Sequence, residues 1–301
     1  MSLLEVTIAG VKYPAPSFLA SGILGSSASL LKRVLESGAG AAVTKSVTVN
    51  PRKGHPNPCF IELEVGYVNS LGLPNPGYLH LLEEIKRLDE KNRVVVSLAG
   101  SSIEEFTKMA EAVEDAGFMA VELNFSCPHV KSYGLELSKN KDVLVKSIKE
   151  IKEVTRLKVW VKLGLCDNIV ELAKFIEKAG GDAIVAINTV RCIIIDIYAK
   201  RPYLSSIYGG LSGKAIHPIA VRCVYDLFKE VDLPIIGVGG IEHWKDAVEM
   251  LLAGASAVQV GSAIAKKGLN VFTEINRGLE NYLRENGFKS IKSIVGLAHK
   301  R

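Results

Sequence analysis

The sequence lacks the patterns that mark several special classes of protein. No apolar run reaches the roughly 18 residues that a membrane-spanning helix needs. The 37 basic and 32 acidic residues are spread along the 301-residue chain, without a block of like charge that could serve as a nucleic-acid-binding arm. The first residues show no basic segment followed by an apolar one, so we expect no signal peptide. These absences favour a globular protein without nucleic-acid or membrane partners.

Cysteine is scarce and scattered. The five cysteines form no Cys-x-x-Cys pair, so the sequence encodes neither a disulfide framework nor a zinc or iron–sulfur site. We therefore expect a cytoplasmic protein in a reducing environment, and an iron–sulfur centre would have to lie on a partner. Cys166, Cys192 and Cys223 lie in or near apolar or helical stretches and are expected to pack there. Cys59 lies in a long loop and is assigned no role.

Short apolar runs alternate with amphipathic stretches of helical period, which is typical of parallel βα units. Strands are predicted at 17–20, 41–45, 94–98, 120–124, 159–162, 183–187, 234–238 and 257–260, and helices at 29–37, 78–89, 103–116, 141–155, 169–179, 215–230, 244–252 and 271–285. This alternation predicts one α/β domain over residues 1–301, a (β/α)8 TIM barrel preceded by a β-hairpin around Ala9-Gly10. Long insertions follow the second and sixth strands, at 46–77 and 188–214, and are predicted to be lids or binding loops.

Polar side chains gather at the carboxyl ends of the predicted strands, where barrels of this type carry their chemistry. The fourth strand runs through Asn124 towards Cys127 and must stop before Pro128, which cannot donate a ladder hydrogen bond. A thiol at this point is either a nucleophile or general base, or a buried structural cysteine. Lys45 and Lys162 end two further apolar strands, so we expect two ammonium groups to face one pocket.

The last two strands end in glycine, at Gly239-Gly240 and at Gly261-Ser262. Loops at these places commonly bind phosphate through backbone N–H groups, and glycine lets the backbone approach the anion. With the glycine-rich run at 209–213, the pattern predicts a phosphorylated cofactor or substrate. The long loop adds Asn69 and Asn75, whose amides suit a planar ligand with carbonyl and N–H edges, although asparagine is also an ordinary turn former.

These motifs resemble those of the class 1 dihydroorotate dehydrogenases, which are flavin mononucleotide (FMN) enzymes of pyrimidine biosynthesis. The resemblance covers essentially the whole chain and rests on Asn69-Ser-Leu-Gly-Leu-Pro-Asn-Pro-Gly77, on Glu122-Leu-Asn-Phe-Ser-Cys-Pro128, and on the segments at 20–22, 44–46, 162, 187–189, 209–213, 237–240 and 259–262. The insertion at 188–214 most resembles the NAD-linked class 1B subgroup. The resemblance then implies a partner subunit carrying FAD and an iron–sulfur (2Fe–2S) cluster, in a heterotetramer built on a homodimer.

The resemblance also implies roles for individual residues. Cys127 would be the general base that removes a proton from C5 of dihydroorotate, while a hydride passes from C6 to N5 of FMN to give orotate. The substrate site would comprise Lys45, Asn69, Leu71, Gly72, Leu73, Asn124, Asn188 and Thr189. FMN would be held by Ala20, Ser21, Lys45, Ser46, Asn124, Lys162, Ile187, Gly213, Gly239, Gly240, Gly261 and Ser262. Lys162 would stand near the electron-rich end of the reduced ring, where a cation stabilises negative charge.

Two positions depart from the pattern of this family. His129 stands where the family usually has an asparagine that binds substrate, and Arg191-Cys192-Ile193 replaces a sequence of glycine–methionine type found in the NAD-linked subgroup. We expect electrons to pass to NAD through the partner, with fumarate, as in a class 1A enzyme, as the alternative acceptor. A phosphate-binding barrel aldolase or isomerase using Lys45 or Lys162 is the other alternative, but it gives Cys127 no role.

Overall fold

A computed structural model describes residues 2–125 and 141–300. Its strands are β1 (Val6–Ile8), β2 (Val11–Tyr13), β3 (Ser17–Leu19), β4 (Ala42–Val43), β5 (Phe60–Leu63), β6 (Gly66–Asn69), β7 (Val94–Leu98), β8 (Ala120–Asn124), β9 (Lys158–Leu163), β10 (Ala183–Ala186), β11 (Val190–Ile193), β12 (Ile195–Asp196), β13 (Arg201–Pro202), β14 (Tyr208–Ser212), β15 (Ile235–Val238) and β16 (Ala255–Val260). Its α-helices are α1 (Ala28–Glu36), α2 (Tyr78–Ile85), α3 (Ile103–Asp115), α4 (Lys141–Val154), α5 (Ile169–Lys178), α6 (His217–Phe228), α7 (Trp244–Ala253), α8 (Ala263–Lys267) and α9 (Asn270–Glu285). None of these helices has the length and apolar character needed to span a membrane.

Eight of the strands form a closed parallel barrel, which confirms the predicted (β/α)8 fold. Around the barrel the order is β3, β4, β7, β8, β9, β10, β15 and β16. The eight barrel strands therefore follow one another in chain order, and the remaining strands lie in the hairpin and the insertions. The predicted third and fourth barrel strands agree with β7 and β8 residue for residue. The helices between the strands cover the outside, so the strands are buried on both faces. All five residues of β8 are buried, for example, including Glu122.

An aromatic cluster fills the barrel near the amino ends of its strands. The predicted N-terminal hairpin is present as β1 and β2, joined at Ala9 and Gly10, which both have the positive φ of a tight two-residue turn. Tyr13 at the end of this hairpin packs 5.0 Å from the ring of Phe18 and 6.2 Å from that of Trp160. The hairpin therefore covers this end of the barrel and leaves the carboxyl ends of the strands for the site.

The two long insertions form a second sheet, which sequence analysis treated only as loops. Its four strands are antiparallel, in the order β11, β14, β6 and β5. Leu211 of the second insertion pairs with Val68 of the first, and Val68 in turn pairs with Ile61. Periodicity within one segment cannot reveal such pairing, because the partners are far apart in the sequence. The sheet joins the two insertions into one wall beside the carboxyl ends of the barrel strands.

Candidate active site

One cavity lies at the carboxyl ends of the barrel strands, beside the insertion sheet. Its empty space is about 1390 Å³, a value that includes the open solvent at its mouth. Its lining contains every predicted site residue except Cys127: Ala20, Ser21, Lys45, Ser46, Asn69, Leu71, Gly72, Leu73, Asn124, Lys162, Ile187, Asn188, Thr189, Gly213, Gly239, Gly240, Gly261 and Ser262. Cys127 and His129 fall outside the described residues. The structure thus brings both predicted sets of ligands, those for cofactor and those for substrate, into the same cavity.

Lys45 places an ammonium group in the cavity from the loop that follows β4. Its backbone N–H donates to the carbonyl of Gly25 at 2.9 Å, which fixes the start of the loop. Burial lowers the pKa of Lys45 from its ordinary value, because removal from water penalises the charged form. An anionic ligand group beside Lys45 would offset that penalty, so the position is suited to a carboxylate.

A chain of hydroxyl and amide groups crosses the cavity floor. Ser46 Oγ lies 2.8 Å from Ser97 Oγ and 3.2 Å from Ser21 Oγ. Asn124 Nδ2 donates to Ser46 Oγ at 3.1 Å, and Asn188 Nδ2 approaches Asn124 Oδ1 at 3.5 Å. Ser97 is fully buried behind the cavity and was not predicted as a site residue. Its contact fixes the hydroxyl of Ser46, and through it the orientation of the Asn124 amide, which lines the cavity.

A second ammonium group, that of Lys162, lies deeper in the cavity and has a carboxylate beside it. Lys162 Nζ is 3.8 Å from Glu122 Oε1 and donates to Gln259 Oε1 at 3.4 Å. Gln259 Nε2 donates to Glu122 Oε2 at 2.8 Å, so the three side chains form a closed set. Sequence analysis predicted only Lys162. The signal for the other two was their position on strands of a closed barrel, where alternate residues point inward.

Three glycines form a cradle where β14 and β15 end, comprising Gly213, Gly239 and Gly240. A Cβ added to Gly240 would lie 2.7 Å from the carbonyl oxygen of Gly213 and 2.8 Å from Cβ of His217, so there is no room for a side chain. The Nδ1 atom of His217 lies 2.9 Å from the carbonyl oxygen of Gly239 and therefore donates to it. The glycine cradle is thus both narrow and fixed, which suits close approach of backbone N–H groups to a phosphate.

The two asparagines of the long loop have different surroundings. Asn69, at the end of β6, lines the cavity, whereas Asn75 does not. The Asn75 amide donates to Thr48 Oγ1 at 3.0 Å and to the carbonyl of Leu73 at 2.9 Å, and its oxygen accepts from the N–H of Gly77 at 2.9 Å. The structure therefore identifies Asn75 as the residue that folds the loop, while Asn69 remains available to a ligand.

Comparison with known proteins identifies the family. The profile of the family described as "Dihydroorotate dehydrogenase" matches residues 3–283. The chain belongs to the dihydroorotate dehydrogenase family. A protein of Pyrococcus abyssi (strain GE5 / Orsay) named "Dihydroorotate dehydrogenase B (NAD(+)), catalytic subunit" is 48% identical over 299 residues, covering 99% of this chain and 100% of its own length. Relatives with the same name from Methanosarcina mazei and Methanocaldococcus jannaschii are 45% and 43% identical, covering 99% of this chain and 96% and 99% of their own lengths.

Membership of the dihydroorotate dehydrogenase family implies a flavin cofactor, and the cavity fits one. At each of the three cradle glycines an added Cβ would lie 2.7 Å from a packed protein atom, so only bare backbone can line the cavity there. Lys162 supplies a cation in the same cavity. Within the described residues, no group of three or more His, Cys, Asp or Glu side chains is arranged to hold a metal ion.

Proposed function

We propose that this protein oxidises (S)-dihydroorotate to orotate with bound FMN, the redox step of de novo pyrimidine biosynthesis. One observation carries the proposal: a single cavity brings together two ammonium groups, three asparagine side chains and a glycine cradle, in a chain that belongs to the dihydroorotate dehydrogenase family. A phosphate-binding aldolase or isomerase would not need the amides of Asn69, Asn124 and Asn188.

The cofactor half of the cavity is assigned to the glycine cradle and the strand ends beside it. Gly213, Gly239 and Gly240, with Gly261 and Ser262, would hold the phosphate end of FMN through backbone N–H groups. Lys162 would stand at the ring, where its charge favours the reduced, negatively charged form. When bound, FMN supplies a ring that accepts a hydride. The proposed remaining contacts come from Ala20, Ser21, Lys45, Ser46, Asn124 and Ile187.

The substrate half of the cavity is assigned to the long loop and to the ends of β8 and β10. Lys45 would pair with the carboxylate of dihydroorotate, which returns a charge partner to its buried ammonium group. Asn69, Asn124, Asn188 and Thr189 would bind the carbonyl and N–H edges of the ring, and Leu71, Gly72 and Leu73 would close its face. The proton at C5 would be removed by Cys127, which follows β8 in the sequence.

Electrons would leave through a partner subunit to NAD. The relatives are named as catalytic subunits of an NAD(+) enzyme, which favours NAD over fumarate as the acceptor. The name "catalytic subunit" also supports a second, separate subunit. We propose that this partner carries FAD and a 2Fe–2S cluster, and that the complex is a heterotetramer built on a homodimer of this chain.

The decisive experiment adds dihydroorotate to the purified chain without oxygen and follows the visible flavin band. Bleaching of a yellow protein is expected, since the first half of the reaction needs only this chain and FMN. A yellow protein that does not bleach would refute the substrate, and a protein that stays colourless after FMN is added would refute the cofactor. Oxidation of the bleached protein by NAD, with and without the partner, and by fumarate then identifies the acceptor.

Replacement of Cys127 tests the proposed base separately. Cys127→Ser keeps the size of the side chain but raises the energy of its deprotonated form. We expect FMN to remain bound and the bleaching rate to fall by about a hundredfold or more. An unchanged rate would exclude Cys127 as the base while leaving the cofactor and substrate assignments intact.

A further inference from the structure

A buried carboxylate lies directly behind the cavity, and none of the roles above uses it. Glu122 on β8 is fully buried and does not line the cavity, whereas Lys162 on β9 and Gln259 on β16 do. Glu122 Oε1 lies 3.8 Å from Lys162 Nζ, behind the lining of the cavity. A ligand in the cavity therefore meets the positive end of an ion pair whose negative end is enclosed in the barrel.

The geometry ties the three side chains to one arrangement. Glu122 Oε2 accepts from Gln259 Nε2 at 2.8 Å, and Gln259 Oε1 accepts from Lys162 Nζ at 3.4 Å. The remaining carboxylate oxygen, Oε1, has no hydrogen-bond partner within the described residues and lies 3.8 Å from Lys162 Nζ. Gln259 thus holds the carboxylate and the ammonium group apart at a set distance, and their attraction is electrostatic rather than a direct hydrogen bond.

Burial makes this carboxylate electrostatically important. Charges inside a protein interact far more strongly than charges in water, and a buried charge without a partner is costly. An ammonium group alone beside the flavin would strongly favour the reduced ring and so hinder the passage of electrons to the next acceptor. A carboxylate behind it offsets part of that positive charge at every point in the cavity.

We propose that Glu122 is a positioning residue that acts through Lys162. It fixes the ammonium group, with Gln259 as spacer, and it limits the positive charge that the flavin ring meets. The smaller positive charge keeps the reduction potential of the flavin low enough for onward electron transfer. This role rests on the proposed function, because it requires FMN in the cavity. It extends that function by assigning part of the control of the flavin potential to a residue that touches neither cofactor nor substrate.

The first test measures the midpoint potential of bound FMN in the parent and in Glu122→Gln, which removes the charge but keeps the shape. Removal of a negative charge near the anionic reduced ring should favour that ring about tenfold or more, a rise of about 30 mV or more for a two-electron couple. Lys162→Met should lower the potential. Glu111→Gln, a matched change at an exposed position on α3, should leave it unchanged. Glu122→Asp, which retains the charge, should give a value between those of the parent and Glu122→Gln.

The second test needs no cofactor. Urea unfolding of the flavin-free protein is compared for the parent, Glu122→Gln, Lys162→Met and the double variant. Each single change leaves one buried charge without its partner, so each should be destabilising. The folding equilibrium constant of the double variant should be about tenfold or more higher than the sum of the two single free-energy losses predicts. This cycle measures the pairing of Glu122 with Lys162 even where a single variant binds FMN poorly.

The outcomes separate the two proposals. A potential in Glu122→Gln equal to that in Glu111→Gln, with FMN bound in both, would overturn the role of Glu122 and leave the proposed function standing. A parent protein that binds no FMN would overturn the proposed function and the role of Glu122 together. Additive effects in the unfolding cycle would show that Glu122 does not fix Lys162, and would also overturn the inference.

Discussion

Gly240→Ala should damage the glycine cradle by an amount that can be worked out from its surroundings. Gly240 has φ +62°, which costs an alanine about 1–2 kcal/mol. The added Cβ would lie 2.7 Å from the carbonyl oxygen of Gly213 and 2.8 Å from Cβ of His217, and neither atom is the flexible end of a long side chain. The shifts of neighbouring atoms that such overpacking forces cost a further ~1–3 kcal/mol. We therefore expect a loss of about 2–5 kcal/mol in the free energy of unfolding.

Gly287→Ala is the matched control for this prediction. Gly287 has a similar φ of +70°, but a Cβ built there meets no atom within 4 Å, and the residue follows α9 away from the cavity. It should show only the conformational cost of about 1–2 kcal/mol. The difference between the stability losses of the two variants therefore measures the cost of the steric overlap at Gly240, which reflects how narrow the cradle is.

Two assays test the expected effects of Gly240→Ala on stability and on FMN binding. Urea unfolding of the flavin-free proteins gives the free energies, and titration with FMN, followed by quenching of its fluorescence, gives the affinities. FMN affinity should fall about tenfold or more in Gly240→Ala, because each 1.4 kcal/mol of displaced contact is a factor of ten, and should be unchanged in Gly287→Ala. Equal losses of stability in the two variants, with equal FMN affinities, would refute the cradle as a tight phosphate site.

Three further substitutions test the barrel interior, the cavity lysine and the loop. Trp160→Ala should cost about 3–5 kcal/mol in urea unfolding, since it empties the aromatic cluster at the amino end; a loss below 1 kcal/mol would contradict the packing described. Burial lowers the pKa of Lys45, so between that pKa and the ordinary value of 10.5 the unfolded chain binds more protons than the folded one. The free energy of unfolding of the flavin-free parent should therefore rise as pH increases through this window. Lys45→Met should lack this rise and should be more stable than the parent at neutral pH. Asn75→Ala removes the bonds that fold the long loop and should cost about 1–3 kcal/mol, with a raised KM for dihydroorotate and an unchanged FMN affinity; an unchanged KM would separate the loop from substrate binding.

The barrel could be predicted from the sequence because each strand and each helix is marked by the pattern of apolar residues within its own segment. The limits of β7 and β8 were predicted residue for residue, since apolar runs and their polar ends mark such strands clearly. The insertion sheet could not be predicted in the same way. Val68 pairs with Leu211, which lies 143 residues further along the chain (211 − 68), and nothing in either segment alone identifies the other as its partner.

The cavity lining was predictable from motifs, whereas the residues behind it were not. On β8, Val121 and Leu123 alternate with Glu122 and Asn124, a pattern that predicts a strand with two unlike faces. The structure buries all five residues of that strand, because a closed barrel covers the inner face as fully as the outer one. Glu122, to which sequence analysis assigned no role, is therefore part of the buried interior, and its contact with Lys162 is visible only in the structure.

The contrast between the two lysines explains how one cavity can serve two anions differently. Lys162 has a built-in counter-ion in Glu122, so its charge is partly offset before any ligand binds. Within residues 2–125 and 141–300 no carboxylate forms an ion pair with Lys45, and burial alone lowers its pKa. Binding of a substrate carboxylate at Lys45, as proposed, would therefore relieve an existing electrostatic penalty and favour the substrate over neutral analogues. On the proposed assignment, Lys162 would present a constant charge to the cofactor, whereas the charge on Lys45 would gain a partner only while substrate is bound.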